Sequence, residues 1–138
     1  MITFNYQTKF DLKREDELNK WICNTIIAEG FVLGEVGYVF CKDDYLHEIN
    51  LKYLQHDTYT DVISFDYSVG KRLHGEIYIS IDRIVDNARS LNLSADDELH
   101  RVMIHGILHY CGYNDKTEDE AQIMRAKEDY YLDVLQYS

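Results

Sequence analysis

The sequence predicts an α+β fold in which a four-stranded mixed sheet carries about five helices on its faces. Three observations lead there. Four short runs rich in Val, Ile, Tyr and Phe read as strands, and the longer segments place apolar residues at helical spacing. The order is strand, helix, strand, helix, two strands, then three helices. The chain has 138 residues, 46% of them hydrophobic, which is enough for one core, and shows no repeat, linker or low-complexity tract, so one domain over 1–138 is expected.

In order, Ile2 to Tyr6 alternates apolar and polar residues as a short strand does. Asp11 to Gly30 sets Leu18, Trp21, Ile22, Ile26 and Ile27 on a core-facing stripe and stops at a glycine. Phe31 to Phe40 is a second strand, and Lys42 to Gln55 a helix with Leu46, Ile49, Tyr53 and Leu54 facing inward. Asp61 to Tyr67 and Gly75 to Ser80 are strands, and the polar turn around Gly70-Lys71-Arg72 suits an antiparallel hairpin. Asp82 to Leu91 is a helix burying Ile84, Val85, Ala88 and Leu91. Ser94 caps the next helix with Asp97 as its partner, and Thr117-Glu-Asp-Glu120 is a capping box opening the last helix, through Met124, Tyr131 and Leu135.

The chemistry lies between Glu98 and Asp115. His105 and His109 stand four apart in an apolar run, so both imidazoles share one helix face and reach one point. Gly112 offers the left-handed residue that ends helices, and the turn there returns Tyr113-Asn114-Asp115 toward the pair. Asp115, confined to a short loop ahead of the capping box, becomes the third ligand. Two histidines and a carboxylate with an open position suit a catalytic divalent metal. Gly106 costs about 1 kcal/mol in a helix interior relative to alanine, so a substrate or another element needs its missing side chain. The bland rivals are a pair of core histidines and a capping carboxylate. The register of Gly106, Gly112 and Asp115 with the pair favours ligation. Asn114 shapes the turn, and Arg101, one turn before His105, is placed to meet phosphate or to pair with Asp97 or Glu98.

His105-Gly-Ile-Leu-His109-Tyr-Cys-Gly112-Tyr resembles the signature of the YbeY family, metal-dependent endoribonucleases that mature ribosomal RNA in bacteria. The family motif is His-Gly-x-x-His followed by Gly-Tyr-Asp-His, with three histidines holding zinc; Asp115 stands in the third histidine's place. Asn50, Tyr53, Asp57, Thr60, Asp61, Val62, Ser64 and Phe65 match a second family segment, and Glu76 stands at an acidic position of a third. Leu54 occupies the place of a family arginine linked to activity, for which His56 or Lys52 are the nearby substitutes. The resemblance runs from about Asn50 to the last helix, and the N-terminal third matches in its order of elements alone.

What the resemblance implies is cleavage of single-stranded RNA in maturation of small-subunit ribosomal RNA, with the ribosomal small subunit or assembly factors as partners. The expected cofactor is one divalent metal on His105, His109 and Asp115. Zinc leads, with manganese or nickel admitted because carboxylate oxygen suits harder ions. The cation would polarise a phosphoryl oxygen or acidify a water. A net charge of −11 opposes general nucleic-acid binding, so Lys71, Arg72 and Arg101, with Arg83 and Lys116, are the candidate basic rim. The three scattered cysteines, Cys23, Cys41 and Cys111, fit reduced thiols in a cytoplasmic protein, and no apolar run approaches a membrane span. Three rivals stand beside the nuclease. A zinc peptidase would need a glutamate where Gly106 stands. The two-histidine, one-carboxylate set of iron oxygenases lacks support from the helix-borne spacing. The third is a non-catalytic ribosome-assembly module stapled by metal.

Overall fold

β1 (Ile2–Tyr6), α1 (Glu15–Ala28), β2 (Val32–Cys41), α2 (Asp43–Leu54), β3 (Val62–Asp66), β4 (Arg72–Ser80), α3 (Ile81–Leu91), α4 (Ala95–Tyr110) and α5 (Glu118–Gln136) succeed one another as the sequence predicts. The computed structural model of the protein describes residues 1–56 and 58–136, so the match at Asp57 lies outside the described residues. The strands lie in the order β1-β2-β4-β3. β1 pairs with β2 in parallel, with α1 carrying the chain back between them, and β2 pairs with β4 in parallel, with the return made by β3. β3 and β4 follow directly and pair antiparallel, Val62 opposite Ile79 and Asp66 opposite Gly75. The sheet is therefore mixed, in an α+β fold.

Side chains alternate between the two faces. Tyr38, Phe40, Leu73, Ile77 and Ile79 pack against Leu18, Ile22, Met103, Ile104 and Ile107 of α1 and α4 in the main core. On the other face Leu46 of α2 packs with Cys41 and Ile63, flanked by Phe65 and Tyr78. α4 is the most deeply set helix, burying Leu99, Val102, Met103, Ile104, Ile107 and Leu108. A Cβ on Gly106 would stand 2.9 Å from Ile77 Cδ1, so the element that needs this glycine is β4, on which α4 rests.

Element ends follow their local chemistry. α1 starts at Glu15, later than Asp11, because Arg14 is left-handed (φ 64°). It ends as expected: Gly30 has φ 85°, and the Phe31 N–H donates to the Ile26 carbonyl at 3.0 Å. β4 begins at Arg72 and passes through Gly75, over which the Tyr110 hydroxyl reaches to donate to the Phe65 carbonyl at 2.8 Å. The inward assignments of Ile27, Tyr53, Leu54, Val85 and Leu91 are corrected: all five are exposed. Each helix rests on a stripe narrower than its apolar face. α2 buries Leu46 and Asn50 and α3 buries Ile84 and Ala88, pairs one turn apart that leave flanking residues outside. Among the described residues no helix is long and apolar enough to cross a membrane.

Candidate metal centre

The centre is built by the end of α4 and the turn beyond it. Ser94 Oγ accepts the Asp97 N–H at 3.1 Å and fixes the start of the helix. At the other end Gly112 takes φ 98°, the Gly112 N–H donates to the His109 carbonyl at 3.0 Å, and the Tyr113 N–H to the Leu108 carbonyl at 3.1 Å. This is the Schellman pattern, and it reverses the chain over the last turn of α4. The Thr117 capping box is reciprocal: the Thr117 N–H donates to Glu120 Oε1 at 3.0 Å and the Glu120 N–H to Thr117 Oγ1 at 3.1 Å. Asp115 is held between these two fixed ends.

The result is a converging trio. His105 Nε2 and His109 Nε2 are 2.9 Å apart, and Asp115 Oδ2 lies 3.3 Å from the first and 3.6 Å from the second. Ligands at about 2.0–2.2 Å around a tetrahedral cation are separated by roughly 3.4 Å; the two edges to Asp115 match this, and the edge between the imidazoles is about 0.5 Å shorter. The far side of each ring is also engaged. His105 Nδ1 meets Glu128 Oε2 at 2.6 Å, and His109 Nδ1 meets the Tyr113 carbonyl at 2.9 Å. With Nδ1–H donating outward, both Nε2 lone pairs and a carboxylate oxygen point at one spot, an arrangement a cation stabilises. The donor set fits a divalent metal.

Electrostatics concentrate on Glu128, which is buried. Burial pushes its pKa up, but His105 and then Arg101 outweigh this and hold the carboxyl below its usual range. His105 is the mirror case: burial pulls it down, and the bonded Glu128, with Asp115 and Asp61, holds it above the ordinary imidazole value. Arg101 pairs with Glu128 at 2.7 Å and Asp129 at 2.6 Å, in place of the Asp97 or Glu98 partner expected from sequence. A second anchor steadies the loop: Glu29 accepts the Tyr113 hydroxyl at 2.7 Å, the Lys127 ammonium at 3.3 Å and the Tyr131 hydroxyl. A cleft of about 360 Å³ opens beside the trio, and Asp61, Leu93, Arg101, His105, Asp115 and Arg125 line it.

Of the predicted site residues, His105, His109 and Asp115 come together, and Arg101 reaches the same cleft. His56 is exposed just past the end of α2. Lys71 and Arg72 lie at the hairpin turn, and Lys71 Nζ sits 4.5 Å from the Phe31 ring centre. Arg72 is seven strand positions from Ile79, which pairs with Val62 at the cleft, so at about 3.3 Å per residue roughly 23 Å separate them along β4. Arg83 is held by Asp43 at 3.0 Å. The sequence reading missed Glu128, Glu29 and Arg125.

A family model described as endoribonuclease YbeY matches residues 2–136. The chain belongs to the YbeY family. It is 52% identical over 129 residues to an endoribonuclease YbeY of Flavobacterium johnsoniae, covering 94% of this chain and 93% of that one. A relative of the same name from Bacteroides thetaiotaomicron is 51% identical over 118 residues, covering 86% and 85%. The solution structure of a Thermotoga maritima protein superposes with a TM-score of 0.71 at 26% identity, covering 98% of this chain and 89% of that one. The YbeY match thus includes the N-terminal third, where the sequence alone offered an order of elements and no motif.

Proposed function

We propose that this YbeY-family chain is a metal-dependent endoribonuclease that cuts single-stranded RNA during maturation of small-subunit ribosomal RNA in the cytoplasm. The single observation that supports it is the convergence of His105 Nε2, His109 Nε2 and Asp115 Oδ2 at the edge of an open cleft. Those three residues would hold the cation, which supplies Lewis acidity toward a phosphoryl oxygen. Glu128 and the Tyr113 carbonyl fix the tautomer and orientation of the two rings. Asp115 is the most exposed of the three, its side chain 42% accessible, so the open side of the trio faces the cleft and solvent. The peptidase reading lacks a general base, since Gly106 is packed against Ile77 and no carboxylate can stand there.

The test is purified protein with defined zinc, manganese or nickel on a single-stranded RNA and on a peptide. Cleavage of the RNA by wild type, abolished in His109→Ala and absent on the peptide, is expected. RNA left intact with every metal would replace this reading with the metal-stapled assembly module, for which Leu54 in the place of the family's arginine is the supporting observation.

A further inference from the structure

The cleft beside the trio is acidic: Asp61, Glu98, Asp115 and Glu128 line it against two guanidiniums, Arg101 and Arg125. The two arginines differ in what holds them. Arg101 lies between Glu128 at 2.7 Å and Asp129 at 2.6 Å, so its charge is neutralised where it stands. Arg125, on the second turn of α5, is exposed and makes no hydrogen bond or ion pair among the described residues. Burial and then Asp61 push the Glu98 carboxyl up while Arg101 and Arg125 pull it back, which marks both guanidiniums as neighbours of the cleft wall. An unpaired arginine is notable in a chain with 25 acidic residues against 14 lysines and arginines. Arg14, Arg83, Arg89 and Arg101 each reach a carboxylate, and Arg72, which makes no ion pair among the described residues, lies at the hairpin end of β4, away from the cleft.

An anionic substrate entering this cleft meets carboxylates from three elements and the strand start, and one available cation from the protein itself. A guanidinium presents a planar fork that matches two phosphate oxygens. We propose that Arg125 grips the RNA phosphate backbone at the mouth of the cleft beside His105 and Asp115, an assignment that rests on the ribonuclease reading above. Arg125 is then a substrate-binding residue of this chain that no residue of the histidine motif predicts. Because the rest of the body is acidic, this one contact carries a large share of the salt-dependent affinity.

The experiment compares wild type, Arg125→Gln, Arg125→Lys and, as a control on the outer side of α1, Lys20→Gln. Binding of a labelled, cleavage-resistant single-stranded RNA is measured across salt concentrations, with cleavage kinetics and metal content alongside. Arg125→Gln is expected to weaken binding about tenfold and to reduce the magnitude of the log K against log salt slope by about 0.7, one phosphate contact on a single strand. KM rises about tenfold while kcat changes less than about threefold and metal content stays the same. Arg125→Lys keeps the slope, and Lys20→Gln matches wild type. An Arg125→Gln enzyme with the wild-type slope and KM overturns the assignment, as does a loss confined to kcat with the slope intact. Wild type that neither binds nor cuts RNA overturns the ribonuclease reading and this one together; an active enzyme indifferent to Arg125→Gln overturns this one alone.

Discussion

Glu128 joins two charged systems through one buried carboxylate, Oε2 on His105 Nδ1 at 2.6 Å and Oε1 on Arg101 at 2.7 Å. Partners of this kind fix a ligating imidazole's tautomer and raise its basicity. Glu128→Gln keeps the size and one acceptor but removes the charge. Metal affinity is expected to fall about 10- to 100-fold, read by competition with a chelating dye. Unchanged affinity would show that packing of α4 alone orients His105. This residue was half legible in the sequence. Glu128 falls on the same helical stripe as Met124, Tyr131 and Leu135, and a carboxylate on a buried stripe must have a partner. Its partner lies 23 positions away on another helix, and no local pattern names it. The position of Asp115 beside the two histidines was legible, because the glycine before it and the capping box after it leave the chain little freedom between. Arg125 gave no signal at all, since an arginine with Glu128 and Asp129 three and four residues on reads as half of an ordinary surface ion pair on a helix.

At the scale of elements, the order of strands and helices was legible because each carries its own period and its own stop. Strand neighbours were another matter. The β3–β4 hairpin announces itself by a short polar turn, but the β2–β4 pairing joins strands separated by a helix and a strand and has no local marker. The seating of α4 on β4 was visible from one side alone, as an unexplained Gly106 whose counterpart is Ile77. That pair gives a direct test. Gly106→Ala gains about 1 kcal/mol of helix propensity, while forcing a Cβ against a fully buried isoleucine costs about 1–3 kcal/mol. A net loss of about 1 kcal/mol is expected in denaturant unfolding. Ile77→Val alone costs about 0.5–1.5 kcal/mol, yet it removes Cδ1, the atom the new methyl meets at 2.9 Å. The double variant should therefore be more stable than the sum of the single losses predicts. Strict additivity would mean that α4 and β4 do not touch at this point.

For the whole molecule, the centre ties together the end of α4, the α4–α5 loop and, through Glu128, α5 itself. A cation bound there adds to folding stability, since an unfolded chain cannot gather the three ligands. At about a hundredfold excess of free metal over Kd the gain is about 2.7 kcal/mol. For a chain of this length that corresponds to roughly 10 °C in Tm. Thermal melts with and without added metal should show that shift in wild type and lose it in His109→Ala. The same melts rank the metals. With two imidazoles and one carboxylate, zinc and nickel should shift Tm more than manganese, following their affinity order for nitrogen ligands. Asp115→His, which restores the family's third imidazole, should widen the gap between zinc and manganese by removing the one hard oxygen donor. If the gap between zinc and manganese in that variant is the same as in wild type, Asp115 is not a ligand, and its place 3.3 Å from His105 Nε2 serves the loop instead of the metal.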